Sequence, residues 1–490
     1  MLETLEVNKL DKSIQRKLER LSKGKQPRVL DLFSGCGGMS LGFKLAGYKL
    51  IGGIESDPLA IQSYALNFHS QDCKEIYNSL SLARDITATH PGKLMLEWGY
   101  SDPLDVVDVL IGGPPCPAFA RIGRAKLREI SQHPEAFRLD PRSQLYVPYI
   151  EYIKYLRPLV ILMENVPDIL NYGGHNLGEE ISEILEELGY KCTYTLLNSA
   201  NYGVPQLRER FFLVGVHAAI NNQFEFPMPT NLVDFPRGYN SSRQVALKHI
   251  HNEPRYYLPT PTAPLNAGCP VTVEDAIGDL PIITGHLDGT MKRGARRFDK
   301  AISYRNDVNI SSYIKSMRCW DGFESKGYIY DHVIRSISER DQRIFRIMSP
   351  GDDYPKAYLI AKKIFNTAIK NIDINDDSEY DYEKLKAAYV TPYDPTKFPN
   401  KWRKIESDQP ARTLMAHLGK DTYSHIHYDS SQARTISVRE AARLQSFPDG
   451  FKFVGTMNPA FRQIGNAVPA LMSFSLAKEL LKTLNTDKIS

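Results

Sequence analysis

The sequence predicts an α/β fold, a doubly wound and mostly parallel sheet with helices on both faces, joined to a large irregular domain. Three observations predict it. Short apolar runs alternate with amphipathic stretches from Pro27 to Val216. The runs are apolar on both sides, as strands buried on two faces must be. After Val216 the chain turns rich in Pro, Asn, Asp and Tyr and loses clean periodicity.

Residues 1–26 form a charged, basic N-terminal extension without the apolar core of an export signal. Residues 28–33, 49–54, 106–111, 159–163 and 210–216 read as strands, and 146–156 and 178–188 as helices, so 27–216 is an α/β domain. Residues 217–432 make the second domain. Within it a helix is predicted inside 336–348, stopped by Ser349-Pro350-Gly351, and the acidic stretch 373–382 reads as a solvated loop. A helix at 438–445, and a last one opened by 464–469 and running to about Leu484, return the chain (433–490) to the first domain.

Composition sets the setting. With 490 residues, 42% of them hydrophobic, the chain can bury one large core or two. It has no uninterrupted apolar run of about 18 residues, so a membrane is not an expected partner. The six cysteines are scattered without C-x-x-C spacing, which argues against a disulfide framework or a zinc site and for a cytoplasmic setting. His417, His425 and His427 lack thiol partners and read as structural; no metal is expected. A net charge of +4 permits a locally basic face and no more.

At the first strand end, Gly35, Gly37 and Gly38 allow a tight turn into a helix and close approach of a ligand. Glu55, twenty residues after Gly35, ends the next strand, where an acid commonly meets ribose hydroxyls. A nicotinamide or flavin cofactor fits this pattern almost as well as any other nucleoside, and Asp85 by itself is equally a loop or helix cap.

The chemistry lies further on. Cys116 follows the apolar run 108–113 on a turn stiffened by Pro114 and Pro115, and a thiolate so placed is a strong nucleophile. Glu164 ends the run 159–163, which sets a carboxylate at a second strand end. Gln206, Arg208 and Arg210 alternate as on a strand and share one face, suited to a carbonyl oxygen or a phosphate.

Together these motifs strongly resemble the C5-cytosine DNA methyltransferases. The resemblance rests on Asp31-Leu-Phe-Ser-Gly-Cys-Gly-Gly38, Gly113-Pro-Pro-Cys116, Glu164-Asn-Val166, Gln206-Leu-Arg-Glu-Arg210, residues 434–443 and residues 463–469, in collinear order. It implies the S-adenosylmethionine-dependent methyltransferase (Rossmann-like) sheet, with 217–432 as target-recognition domain. It further implies S-adenosylmethionine as cofactor, with Phe33 and Asp85-Ile86 at the adenine and Glu55 at the ribose. Ser34, Gly35, Gly37, Gly38, Pro115, Leu145, Asn466 and Val468 would line the rest of that pocket. In the implied reaction Cys116 adds to C6 of a flipped-out cytosine, Glu164 meets N3, Arg210 meets O2, and Arg208 stands beside it.

The loop 118–142, carrying Arg121 and Arg124, would close over the base. Gln206, Arg293 and Arg297 in the basic-aromatic stretch 291–298 (with Tyr304-Arg305 beyond it), and Thr413 in a Thr-Leu element, would contact the DNA. The chain departs from the family at Pro117 and Ala120, where Gln and Ser or Thr are usual. The implied partners are double-stranded DNA and a cognate restriction endonuclease or defence proteins, with the enzyme itself a monomer. Two rival readings share the motifs: methylation of tRNA, which Phe119-Ala-Arg-Ile-Gly123 resembles, and a non-catalytic DNA-binding regulator.

Overall fold

The computed structural model of the chain describes residues 2–115, 145–171, 176–236, 239–250, 254–291, 300–370 and 379–485. The expectations placed on Cys116, Arg121, Arg124, Arg293, Arg297 and the loop 118–142 lie outside the described residues. The chain divides into two compact units. The first comprises Met1–Pro270, Lys452–Val454 and Ala467–Ser490, and the second Val271–Phe451 and Gly455–Asn466.

The first unit is built on a six-stranded sheet of β1 (Arg28–Leu32), β2 (Lys49–Ile54), β3 (Val109–Gly112), β4 (Val160–Asn165), β5 (Tyr190–Asn198) and β7 (Glu209–His217), in the order β2-β1-β3-β4-β7-β5. A two-residue strand, β6 (Gln206–Leu207), precedes β7. β1 to β4 run parallel, while β7 is antiparallel to both β4 and β5. The run 159–163 is buried on both faces because successive side chains enter two different cores. Ile161 and Met163 join one cluster with Leu30, Leu32, Leu110 and the helix Tyr146–Leu156. Val160 and Leu162 join the other, with Val29, Val109, Met39 and Phe43. Each such side chain contributes about 1.5–3 kcal/mol by leaving water.

Helix α1 (Leu2–Ser22) makes the N-terminal extension an integral part of this unit. Its Lys17 Nζ donates to the carbonyls of Leu156 and Arg157 at 2.7 and 3.0 Å, satisfying the C-terminal end of the helix Tyr146–Leu156. Burial pushes that amine down to about 7, against the pull of Asp108. The buried carboxylate of Asp108 accepts from Arg20 and from the Arg28 N–H, so α1, β1 and the approach to β3 share one anchor.

The first unit and the return of the chain differ from the sequence expectation. The first unit runs on to Pro270, past the expected boundary at Val216. The reason is local pairing: Tyr194 N–H donates to Tyr256 O and Leu258 N–H to Tyr194 O, each at 2.9 Å, so this segment covers the edge strand β5. Residues 433–451 and 455–466, expected to rejoin the first domain, belong to the second unit. Finally, Ile464–Asn466 end one helix (Met457–Asn466) rather than opening the last, and Pro469, which has no N–H, caps the start of Ala470–Leu484.

The second unit packs Ile344, Phe345, Tyr354, Trp402 and Ile426 into its own core. Its helix at Glu339–Ile347 falls inside the expected range; of the acidic stretch 373–382, expected to be loop, residues 373–378 lie outside the described residues and 379–382 open the helix Glu379–Tyr389. Buried arginines are each matched by carboxylate. Arg434 grips Glu440 through two 2.7 Å hydrogen bonds, Arg439 meets Asp331 at 2.7 Å, and Arg443 lies between Asp449 and Asp279. An unmatched buried charge is strongly destabilising, so these pairs set the packing of the helix Val438–Leu444. Among the described residues no helix is long and apolar enough to cross a membrane.

Candidate active site

The turn after β1 is held in a shape few residues adopt. Phe33, Gly35 and Gly37 have φ of 59°, 53° and 97°. For Phe33 the left-handed conformation costs on the order of 1–3 kcal/mol, a strain characteristic of functional loops. A Cβ on Gly37 would sit 2.3 Å from Phe68 Cε2, so glycine is required there twice over. The Gly35 N–H donates to Glu55 Oε2 at 3.0 Å, and the Asp57 N–H to Oε1 at 2.8 Å. Glu55 therefore ties the turn to the end of β2 and to the start of helix α3 (Pro58–Phe68). Beneath the turn, Ser40 Oγ donates to Asp31 Oδ2 at 2.6 Å from helix α2 (Gly38–Leu45). Burial pushes Asp31 up to about 7, against the Ser40 hydrogen bond and aided by the charge of Glu55.

The remaining residues expected at this pocket are distributed as follows. Asp85 is exposed and its Oδ1 accepts from the Thr87 N–H at 2.9 Å. Ile86 is buried, and Leu145, half-buried, directly precedes the helix Tyr146–Leu156. Pro115 is exposed. Val468 is buried in the first unit, whereas Asn466 is exposed on the second. The hydroxyl of Ser34 is buried and makes no hydrogen bond among the described residues. A polar cradle with one orphaned hydroxyl, a turn holding three residues of positive φ and a fixed carboxylate fits a nucleoside-bearing cofactor.

The chemistry end gathers at neighbouring strands. A Cβ on Gly113, just past β3, would lie 3.0 Å from Glu164 Oε2, so the turn leading to Cys116 passes directly beside that carboxylate. Asn165 Nδ2 donates to Pro114 O at 2.8 Å and fixes the turn from the other side. Because β7 is antiparallel to β4, its first residues arrive at the same end of the sheet. Arg210 Nε thereby meets Glu164 Oε1 at 2.9 Å, while Nη1 donates to Glu209 O at 2.7 Å. Among the described residues Nη2 makes no hydrogen bond, which leaves a donor for an incoming oxygen. Arg208 is buried nearby, and burial followed by the Arg210 charge holds its pKa well below the ordinary arginine value, with Glu164 opposing.

Sequence reasoning assigned no separate role to Asn165, although a buried polar residue at a strand end was a readable signal. Gln206, expected at DNA, is fully buried, and Ser199 Oγ donates to its carbonyl at 2.7 Å. Thr413 is half-buried in the second unit. Tyr304 and Arg305, expected to grip DNA, are engaged within that unit: Tyr304 OH donates to Asp449 at 2.5 Å, and Arg305 pairs with Asp307. Among the described residues no group of three His, Cys, Asp or Glu is arranged to hold a metal ion. His425 Nε2 lies 3.2 Å from Arg412 O, and His427 lies 3.5 Å from Glu440.

The family model for the C-5 cytosine-specific DNA methylases matches residues 27–266 and 299–482. The chain belongs to this family. A relative from Oceanobacillus iheyensis, assigned by name as type II methyltransferase M.OihORF3336P, is 38% identical over 464 residues, covering 94% of this chain and 96% of its own. Type II methyltransferase M.AgeI of Thalassovita gelatinovora is 29% identical over 475 residues, covering 92% and 99%. Among solved structures, a DNA modification methyltransferase encoded within an E. coli prophage matches the fold with a TM-score of 0.60 at 21% identity, over 94% of this chain and 100% of that one. This DNA cytosine-C5 methyltransferase thus carries the expected fold.

Proposed function

We propose that this methyltransferase transfers a methyl group from S-adenosylmethionine to C5 of a cytosine within one short DNA sequence, as the modification partner of a restriction endonuclease or defence system. The observation that carries the assignment of chemistry is the meeting of Glu164, Arg210 and the Gly113-Pro-Pro turn at one sheet end. The glycine turn, Glu55, Ser34, Asp85 and Ile86 would hold the cofactor, which supplies an electrophilic methyl when bound.

The chain's own residues account for the rest. C5 of cytosine is too electron-poor to attack a methyl group unaided. The Cys116 thiolate would form a bond to C6, moving electron density onto C5. That density is drawn toward N3 and O2, where Glu164 places its carboxyl and Arg210 its remaining N–H donor. Once C5 is methylated, loss of the C5 proton to a base and cleavage of the Cys116–C6 bond restore the ring. A stacked base cannot be reached this way, so the cytosine is flipped out of the duplex.

Bisulfite sequencing of DNA from cells expressing the chain, beside its Cys116→Ala variant, tests this reading. Methylcytosine in one short motif, absent from the variant, supports it. Unmethylated DNA with methylated tRNA overturns the DNA assignment.

A further inference from the structure

In the second unit most described arginines are spoken for. Arg318 pairs with Asp279, Arg340 with Asp341, Arg434 with Glu440 and Arg439 with Asp331. Arg403 and Arg412 differ: neither guanidinium makes an ion pair or hydrogen bond with a described residue. Both hang from one segment. The Arg403 N–H donates to Tyr423 O at 2.9 Å, the Ile426 N–H donates to Arg403 O at 2.8 Å, and His425 between them reaches Arg412 O at 3.2 Å. His425 is fully buried, so the scaffold under the pair is rigid.

The two charges feel each other. Partial burial and then the positive charge of Arg403 hold the Arg412 guanidinium below its ordinary pKa. The acid that opposes them, Asp353, forms no ion pair with either and is engaged at the start of the helix Tyr354–Ile369, where it accepts the Lys356 N–H at 3.3 Å. Like charges set side by side without a counter-ion are unfavourable, and an anion reverses the sign of that interaction. Beside Arg412 stand Thr413, half-buried, and Met415, 63% exposed, so the chain around the pair reaches solvent.

We propose that Arg403 and Arg412 together clamp one phosphate of the DNA backbone and so anchor the second unit on its substrate. A guanine edge is satisfied by a single guanidinium, whereas the oxygens of one phosphate accept from two. The proposal rests on the DNA-methylation reading above.

The test uses the full chain and its Arg403→Gln, Arg412→Gln and double variants, with binding to target and non-target duplexes measured across a salt series. Affinity is expected to fall roughly tenfold per substitution, equally on both duplexes. The log–log salt slope of the double variant should be shallower by about one. Cofactor binding and melting temperature should match wild type, and Arg412→Lys should restore most of the slope. Unchanged affinity and slope in a wild type that methylates DNA overturns the clamp alone. A loss confined to one base pair of the target, with the slope intact, also overturns it in favour of base readout. A wild type that neither binds nor methylates DNA overturns the underlying reading instead.

Discussion

Arg210 Nε stands 2.9 Å from Glu164 Oε1, joining the antiparallel strand β7 to the end of β4. The pair orients each partner: the guanidinium holds the carboxylate against Gly113, and the carboxylate leaves one arginine nitrogen for substrate. Arg210→Gln should therefore lower kcat by about 10²–10³-fold, the loss typical of one removed donor at a developing charge. Glu164→Gln should slow turnover by a similar order. Steady-state rates with cofactor KM measured in parallel decide it, since the KM should stay within about twofold if both residues act on the base.

Cys116→Ala should eliminate methylation while leaving cofactor binding intact. Duplex DNA carrying 5-fluorocytosine should trap wild type as a denaturation-resistant adduct and leave the variant free. Asn165→Ala removes the donor to Pro114 O, leaving that carbonyl unsatisfied at a cost of about 1–3 kcal/mol. Its melting temperature should drop and its adduct should form more slowly. An Asn165 variant with wild-type trapping kinetics would remove that residue from positioning the nucleophile.

At the cofactor turn, Gly37→Ala must hold a φ of 97° and place its Cβ against the ring of Phe68. A penalty of roughly 1–3 kcal/mol is expected, seen as a lower melting temperature. Glu55→Ala frees the N–H groups of Gly35 and Asp57 together. Weakening of cofactor affinity by about tenfold, read by calorimetry, corresponds to about 1.4 kcal/mol.

Acid should destabilise the second unit. Burial pushes His425 down to about 4 and His427 down to about 3, from an ordinary 6.5. Between those values the unfolded chain binds protons that the folded chain refuses. The stabilisation is therefore complete above pH 6.5 and is lost as pH falls toward 4. For His425 this amounts to roughly 3 kcal/mol across the window. A melting temperature that stays flat from about pH 7 to about pH 4.5 would falsify the assignment, and His425→Gln should flatten the profile.

Much of the first unit was legible because its motifs sit where apolar runs stop. Phe33, Glu55 and Glu164 all follow or end strands whose side chains feed two cores, a pattern that composition alone displays. The antiparallel direction of β7 was not legible, since nothing within residues 209–217 distinguishes one direction from the other. Strand β5 was passed over because its alternation breaks at its end, where Thr195 to Asn198 are all buried. Helix α3 did carry a signal, Asp57 capping Leu59 and Ala60 with Pro58 behind it, which a reading centred on glycines overlooks. The unit boundary at Pro270 rests on backbone pairing to β5, and backbone pairing leaves no mark on residue type.

The helix Ala470–Leu484 closes the face of α2 on which the cofactor turn rests. Ser473 Oγ donates to Met39 O at 2.6 Å across 434 positions of sequence, and Tyr48 OH donates to Ala477 O across 429. On the ribosome, then, the cradle waits for residues 470–484, which follow directly on the last segment of the second unit. Until those residues are made, α2 lacks the helix that backs it, so the seat is finished only once Ser473 and Ala477 are in place.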